Sequence, residues 1–489
     1  MFQQLEKVDN IRQEINNKVT KKEKNELSQF MTPKAIAQFM VALFPTFTEE
    51  NCRLLDAGAG IGTLSCAFID RWMAGDFSFK SMITTAYEID KNLCIHLEKH
   101  LMEYKGLTYH VINDDYVKLA TVKNLTHKKY THVILNPPYK KINSKSAHRL
   151  ALRKVGIETV NLYSAFVALA ITETANKGQI VAIIPRSFCN GPYYRSFRNF
   201  ILKKTAIKHI HLFKSRRKAF KDDKVLQENI IIRLECGGLQ EMVTISTSTD
   251  DSFSDLQIHQ HPFNRIVFQN DPQQFIHIPT STEQGTLETS SKICCTLEDL
   301  NIKVSTGPIV DFRLKAHLCN MPQEGSVPLL YPIHINNTNT LWPIKNIKKA
   351  NAIMRNADTE KWLYPNGFYC IVKRFSSKEE KRRITAAVVD PKTFGNTLVL
   401  GFENHLNLFH NNKQGLSEAL VHGLAMYLNS TAVDEHFRKF NGHTQVNVAD
   451  LKLMKYPSRE ILIKLGNWAM KQKEITQYQI DTELENIII

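Results

Sequence analysis

The sequence contains no CxxC pair; its nine cysteines, an odd number, are scattered along 489 residues. That pattern argues against a disulfide framework and a structural zinc site, and it suits a reducing compartment. No window approaches eighteen consecutive apolar residues, and the first thirty residues are highly charged without an apolar core. A membrane span and a secretory leader are therefore disfavoured, and a cytoplasmic location is expected. HxxxH is present in HLEKH, residues 96–100, but its glutamate sits in the middle rather than after the first histidine. A metalloprotease motif is thus lacking, and His96 and His100 read as a solvated helix face.

What is abundant is positive charge. Lys and Arg number 63 against 48 Asp and Glu, a formal net charge of +15, which favours a polyanionic partner, nucleic acid first. The length suits two domains, and a hydrophobic fraction of 43% is that of a globular chain. Between Asn51 and Cys236, short apolar runs alternate with helix-like stretches, the pattern of a largely parallel sheet flanked by helices. Seven strands are expected: CRLLD, MITTAYEID, YHVI, THVILN, GQIVAIIP, IKHIHLF and NIIIRLE. A polar loop separates the last two, predicting an antiparallel pair at one edge. The Ser/Thr-rich stretches STSTDDSFSD and PTSTEQGTLETSSK read as linkers. The expected organisation is a helical extension over 1–30, an α/β domain over 31–245, a linker over 246–292, a second domain over 293–458 and a terminal helix over 459–489.

CRLLD runs directly into AGAGIG, placing Asp56, Gly58, Gly60 and Gly62 at a strand-to-helix turn where glycine lets a ligand approach the backbone. The spacing is GxGxG, not the GxGxxG of dinucleotide folds. Glu88 ends the next strand, where a carboxylate can accept both hydroxyls of a ribose. After the third strand come Asp114, Asp115 and Tyr116: one carboxylate to accept from an adenine amino group, one ring to pack on the base. Three successive strand ends thus offer a nucleoside-binding set.

The fourth strand ends in Asn136, Pro137, Pro138 and Tyr139. An exocyclic amine conjugated to a purine is a poor nucleophile, because its lone pair is delocalised into the ring. The Asn136 side-chain oxygen and the Pro137 carbonyl can each accept one amino hydrogen, favouring a pyramidal nitrogen whose lone pair faces a sulfonium methyl. S-adenosylmethionine is the implied methyl donor; its leaving group requires neither a metal nor a covalent enzyme intermediate. A base inside duplex DNA must be flipped out to be reached, and it then needs aromatic faces. Tyr139 offers one and Phe220 a second, although Phe220 also fits a packed core position; Arg216, Arg217 and Lys218 beside it suit phosphates.

The ordered segments FMTPKAIAQFM, DAGAGIG, YEID, NDDY, NPPY and VAIIPRSF resemble the gamma group of DNA adenine-N6 methyltransferases. The resemblance implies a Rossmann-like class I methyltransferase sheet of seven strands, with Thr32 and Pro33 bordering the methionine end of the cofactor and a mixed α+β DNA-recognition domain following. Residues 371–389 and 440–457 resemble the recognition half of the PstI/BsuBI-type modification enzymes of type II restriction-modification systems. By that resemblance Arg374, Lys378, Lys381, Arg382 and Arg383 contact phosphates or bases, as do His443, Thr444, Gln445 and Asn447. The EEKRR run equally fits a solvated helix, and the second set an ordinary polar loop. Double-stranded DNA is the expected partner, bound by a monomer. No paired-carboxylate-plus-lysine nuclease motif is found, so cleavage belongs to a separate endonuclease. Three rivals stand beside adenine methylation. N4-cytosine methylation usually begins the tetrapeptide with Ser, glutamine-N5 methylation of proteins occurs in much smaller chains, and an inactive DNA-binding module would not need Asp56, Glu88, Asp115 and NPPY together.

Overall fold

Alternate residues of the apolar runs fill two different cores, as expected when helices cover both faces of a parallel sheet. Leu55, Val133, Leu135, Ile180, Ala182 and Ile184 point into one core, and Leu54, Ile134, Val181 and Ile183 into the other. The computed structural model describes residues 3–18, 31–46, 50–122, 129–215, 228–269, 271–280, 290–377, 379–441 and 444–488. The chain divides into two units, Met1–Thr282 and Glu283–Ile489. Among the described residues no helix is long and apolar enough to cross a membrane.

In the first unit the elements run α1 (Gln3–Lys18), α2 (Lys34–Ala42), β1 (Asn51–Ala57), α3 (Thr63–Met73), β2 (Ser81–Tyr87), α4 (Lys91–Met102), β3 (Thr108–Ile112), α5 (Tyr116–Val122) and β4 (Tyr130–Leu135). There follow α6 (Ala147–Lys154), α7 (Leu162–Glu173), β5 (Thr174–Pro185), α8 (Arg195–Lys204), β6 (Thr205–Phe213), β7 (Asn229–Cys236), β8 (Val243–Ser248) and β9 (Gln257–His261). The sheet order is β3-β2-β1-β4-β5-β7-β6-β8-β9. Strands β1 to β5 are mutually parallel, and β7 is antiparallel to both β5 and β6. The order reverses between β1 and β4, the switch point at which open α/β sheets bind ligands.

Two expectations are corrected here. The β6/β7 pair is antiparallel as predicted but does not end the sheet, because β8 pairs parallel to β6 and β9 antiparallel to β8. The stretch beginning at Ser246 is therefore strand before it is loop. Its hydroxyls are buried against the histidines of β6: Ser246 Oγ lies 2.7 Å from His209 Nε2 and 2.8 Å from His211 Nδ1. Burial holds those imidazoles low, His211 at about 3 and His209 at about 4. Phe253, in the same polar stretch, stacks on Phe39 of α2 at 4.1 Å. The helix expected within residues 1–30 is α1, and it packs on the domain: Leu5 and Val8 are fully buried, and the Leu5 amide donates to Asp70 of α3 at 3.2 Å.

The second unit is mixed α+β. A six-stranded sheet includes Lys303–Thr306, Leu406–His410, Tyr369–Lys373 and Ala386–Val389, and a five-stranded sheet includes Ser326–Leu330, Val399–Phe402 and Ala352–Met354. Its helices are α9 (Glu418–Leu428), α10 (Thr431–Phe440), α11 (Val448–Leu453), α12 (Arg459–Ala469) and α13 (Gln477–Ile488). The single terminal helix expected over 459–489 is thus two. Thr476 and Gln479 start the second with a reciprocal cap: Gln479 Oε1 accepts the Thr476 amide at 2.9 Å and Thr476 Oγ1 the Gln479 amide at 3.3 Å.

Helices α9 and α12 cross through a pair of glycines. A Cβ on Gly466 would sit 1.7 Å from the Ala419 carbonyl oxygen, and one on Gly423 would sit 1.8 Å from that of Leu462. Alanine is ordinarily the better helix former by roughly 1 kcal/mol, so the backbone contact outweighs propensity. Gly466→Ala is predicted to destabilise the second unit by about 2 kcal/mol or more. Intrinsic fluorescence during urea unfolding reads this directly, since Trp342, Trp362 and Trp468 lie in that unit and only Trp72 in the other; an unchanged midpoint would refute it.

Candidate active site

The carboxyl ends of β1, β2 and β4 open on a cavity of about 420 Å³, within the range of small-molecule sites. Its lining includes Thr32, Gly58, Gly60, Glu88, Asp114, Asp115, Tyr116, Asn136 and Pro138, so segments far apart in sequence meet as expected. Gly58, Gly60 and Gly62 have φ of +77°, +58° and +91°, a conformation glycine adopts without strain. The turn is tied to the next strand: the amides of Gly58 and Ala59 both donate to the Tyr87 carbonyl, at 2.8 and 2.9 Å.

Glu88 closes the turn. Its Oε2 accepts the Gly60 amide at 2.8 Å and its Oε1 the Asp90 amide at 2.8 Å. Burial raises its pKa, and these donors only partly offset the effect. Asp56 lies behind the turn, fully buried and off the cavity wall, which corrects its assignment as a cofactor contact. One of its oxygens accepts from Ser65 Oγ at 2.7 Å, while Oδ1 has no hydrogen-bond partner among the described residues. Desolvation lifts its pKa to about 7.

Asn136 is held from the side. Its Nδ2 donates to Thr32 Oγ1 at 2.9 Å, and its Oδ1 accepts from the Tyr139 hydroxyl at 3.2 Å. The Ile183 carbonyl, also at 3.2 Å, competes for that hydroxyl's one proton. The loop beyond NPPY is clamped, the Leu162 amide donating to Lys140 O and the Ile142 amide to Val160 O, each at 2.8 Å. Tyr139 is half-buried with its ring edge-on to Tyr163 at 6.2 Å, and neither it, Pro137 nor Pro33 lines the cavity. Pro33 instead precedes the first turn of α2. Tyr116 does line it, its ring 5.1 Å from Phe166 and its hydroxyl donating to Glu173 at 2.6 Å.

Three contributors escaped the sequence reading. Phe166 and His148 line the cavity, and each is one unremarkable residue of a helix with no motif around it. His100, read as solvated, is 4% exposed, and its Nδ1 lies 2.8 Å from the Ile61 carbonyl, bracing the glycine turn from behind. The available signal was its place beside Leu93, Leu97 and Leu101, on the apolar face of α4.

In the second unit the recognition candidates separate. Arg383 is 1% exposed; its Nη2 donates to Asn441 at 2.7 Å and its guanidinium covers Phe437. It is therefore a core residue and not a DNA contact. Arg382 is tied to the Asn429 carbonyl and to Thr431, so it too is engaged internally. Neighbouring Lys381 is exposed on a bend rather than a helix. Asn447 caps α11 in a box with Asp450. Arg374, over Phe375, and Gln445, bridged to Phe375, lie together where two loops meet, with Thr444 exposed beside them. Arg216, Arg217, Lys218, Phe220, Lys378 and His443 fall outside the described residues.

A carboxyl raised from 3.8 to about 7 keeps its proton in the folded chain where the unfolded chain has lost it. Folded protein then binds more protons across that window, and stability falls as pH rises from about 4 through 7. Asp56→Asn, which retains an acceptor for Ser65, is predicted to flatten this slope and to melt no lower than wild type at pH 8. Calorimetry from pH 5 to 8 checks it; an equally steep slope in the variant would locate the effect elsewhere.

A family model described as the Eco57I restriction-modification methylase matches residues 78–220. Type II methyltransferase M.BsuBI of Bacillus subtilis is 52% identical over 501 residues, spanning 100% of this chain and 99% of its own. Type II methyltransferase M.PstI of Providencia stuartii is 40% identical over 494 residues, spanning 98% and 96%. Among solved structures, the Type IIL restriction-modification enzyme MmeI in complex with DNA aligns with a TM-score of 0.51 at 11% identity, over 97% of this chain and 72% of that one. At that identity the likeness is one of fold.

Proposed function

The chain belongs to the type II methyltransferase family of M.BsuBI and M.PstI, and from that membership and the cavity we propose that it methylates N6 of adenine in double-stranded DNA from S-adenosylmethionine. Strands β1 to β7 form the class I methyltransferase sheet that the resemblance implied. The observation that carries the reading is the Asn136 amide, anchored through Nδ2 to Thr32 on the cavity wall.

The residues present fit S-adenosylmethionine. A Cβ on Gly58 would meet Phe166 at 3.5 Å and reach 3.9 Å from Pro138, so the bare backbone leaves room for a ligand at the turn. Glu88 suits ribose hydroxyls, Asp115 an adenine amino group between the rings of Tyr116 and Phe166, and Thr32 the methionine end. When bound, the cofactor supplies an electrophilic methyl on a sulfonium leaving group.

The protein's part is positioning. With Nδ2 committed to Thr32, Asn136 presents Oδ1 as an acceptor for one amino hydrogen of the target, and the Pro137 carbonyl takes the other. The Tyr139 hydroxyl retains the Ile183 carbonyl as its acceptor when the target claims Oδ1. Two acceptors on one amino group favour the pyramidal nitrogen that an in-line methyl transfer needs, and one amino proton then leaves to solvent. Arg374, Lys381, Thr444 and Gln445 are the described candidates for DNA contact in the second unit. The net charge of +15 supports a duplex partner, bound by a monomer whose methylation protects DNA from a separate endonuclease.

Incubating the protein with labelled S-adenosylmethionine and unmethylated plasmid, then identifying the labelled nucleoside by mass spectrometry, tests the reading. N6-methyladenine is expected, reduced about 100-fold or more by Asn136→Ala while cofactor binding persists. Label in N4-methylcytosine would overturn the assignment of the base, and binding without DNA label would overturn the substrate.

A further inference from the structure

Two acidic residues, Asp114 and Asp115, end the third strand's turn, but they are differently employed. Asp114 Oδ1 accepts the Asp115 amide at 2.7 Å and so shapes the turn itself. Asp115 Oδ1 caps α5 by accepting the Lys118 amide at 3.1 Å, while its Oδ2 lies 2.5 Å from Nε2 of His148. His148 is the second residue of α6, a helix whose start is fixed by Ser146 Oγ accepting the Arg149 amide at 3.3 Å. Both members of the pair line the cavity, together with Ile89, Tyr116 and Phe166. A histidine reached from another helix therefore supports a carboxylate on the wall of this cavity.

We propose that His148 is a positioning residue: by donating Nε2–H to Asp115 it fixes that carboxylate as an acceptor for the exocyclic amino group of the cofactor's adenine, and so makes the site select adenosine over inosine. This rests on the reading of the cavity as an adenosine site. A carboxylate already receiving donors from His148 and Lys118 offers only lone pairs to a ligand. The adenine amino group is a donor at that position, whereas hypoxanthine presents an acceptor oxygen there and is repelled. The groups facing His148 agree with this polarity. Burial acts to raise Asp115, but the His148 hydrogen bond, the backbone donors and the His148 charge hold it below the usual carboxylate range. The hydrogen bond to Asp115 raises His148 above its ordinary value despite burial and the nearby Lys140 charge. Nε2 donates to Asp115 in the imidazolium and in the neutral Nε2–H tautomer alike.

Calorimetric titration of the full chain with S-adenosylhomocysteine and with S-inosylhomocysteine tests this. Wild type is expected to prefer the adenosine compound by about 10-fold or more. His148→Ala is expected to weaken S-adenosylhomocysteine about 10-fold and the inosine compound far less, so that discrimination collapses. His148→Gln, whose amide nitrogen can donate from a similar position, is expected to recover most of it. In turnover assays the KM for S-adenosylmethionine rises in His148→Ala by a larger factor than kcat falls. Equal weakening of both compounds, or intact discrimination in His148→Ala, would overturn the role of His148. Binding of neither compound by wild type would overturn the adenosine reading and this inference with it.

Discussion

One hydrogen bond joins two distant segments of the candidate site: Asn136 Nδ2 to Thr32 Oγ1, across 104 residues of sequence. An amide can rotate, and an unanchored Asn136 would present nitrogen as readily as oxygen to whatever approached. With the nitrogen committed, the oxygen is the acceptor: it takes the Tyr139 hydroxyl here, and an amino-group target can take that hydroxyl's place. The bond depends in turn on α2 reaching the carboxyl edge of the sheet. That placement is secured by packing of Met40 and Val41 into the core shared with α1 and α3, and by the Asp9 carboxylate accepting the Lys34 amide at 3.1 Å. The N-terminal helix is therefore structurally coupled to Asn136, although none of its described residues lines the cavity.

Around this point the site is built from carboxylates of differing fate. Asp56 is buried outright and works behind the turn, Glu88 faces the cavity with both oxygens held by backbone donors, and Asp115 is held by His148. Desolvation raises the first two while hydrogen bonding keeps the third low. Similar side chains at three successive strand ends thus acquire different acidities from local surroundings alone.

The sheet and the wall of the cavity were legible in the sequence because their chemistry restricts residue type: glycine at positive φ, an acid at a strand end, Asn-Pro-Pro-Tyr at the turn after β4. What was illegible lay where polar residues perform structural work. Ser246 and Ser248 look like linker residues until His209 and His211 are placed opposite them. Arg383 looks like a phosphate contact until it is found buried between Ser376, Asn441 and Phe437. His148 carries no local signature, because its partner Asp115 is 33 residues earlier and only the fold brings them together. Asp56 was assigned to the ligand on the strength of its motif, whereas its side chain turns inward to Ser65.

If the Thr32 hydroxyl orients Asn136 for methyl transfer, removing that one oxygen must slow turnover. Turnover of plasmid methylation at saturating S-adenosylmethionine should fall by about 10-fold or more in Thr32→Val, which keeps the shape but loses the acceptor, and should stay near wild type in Thr32→Ser, which keeps the hydroxyl. Wild-type turnover in Thr32→Val would show that the hydroxyl does not orient Asn136.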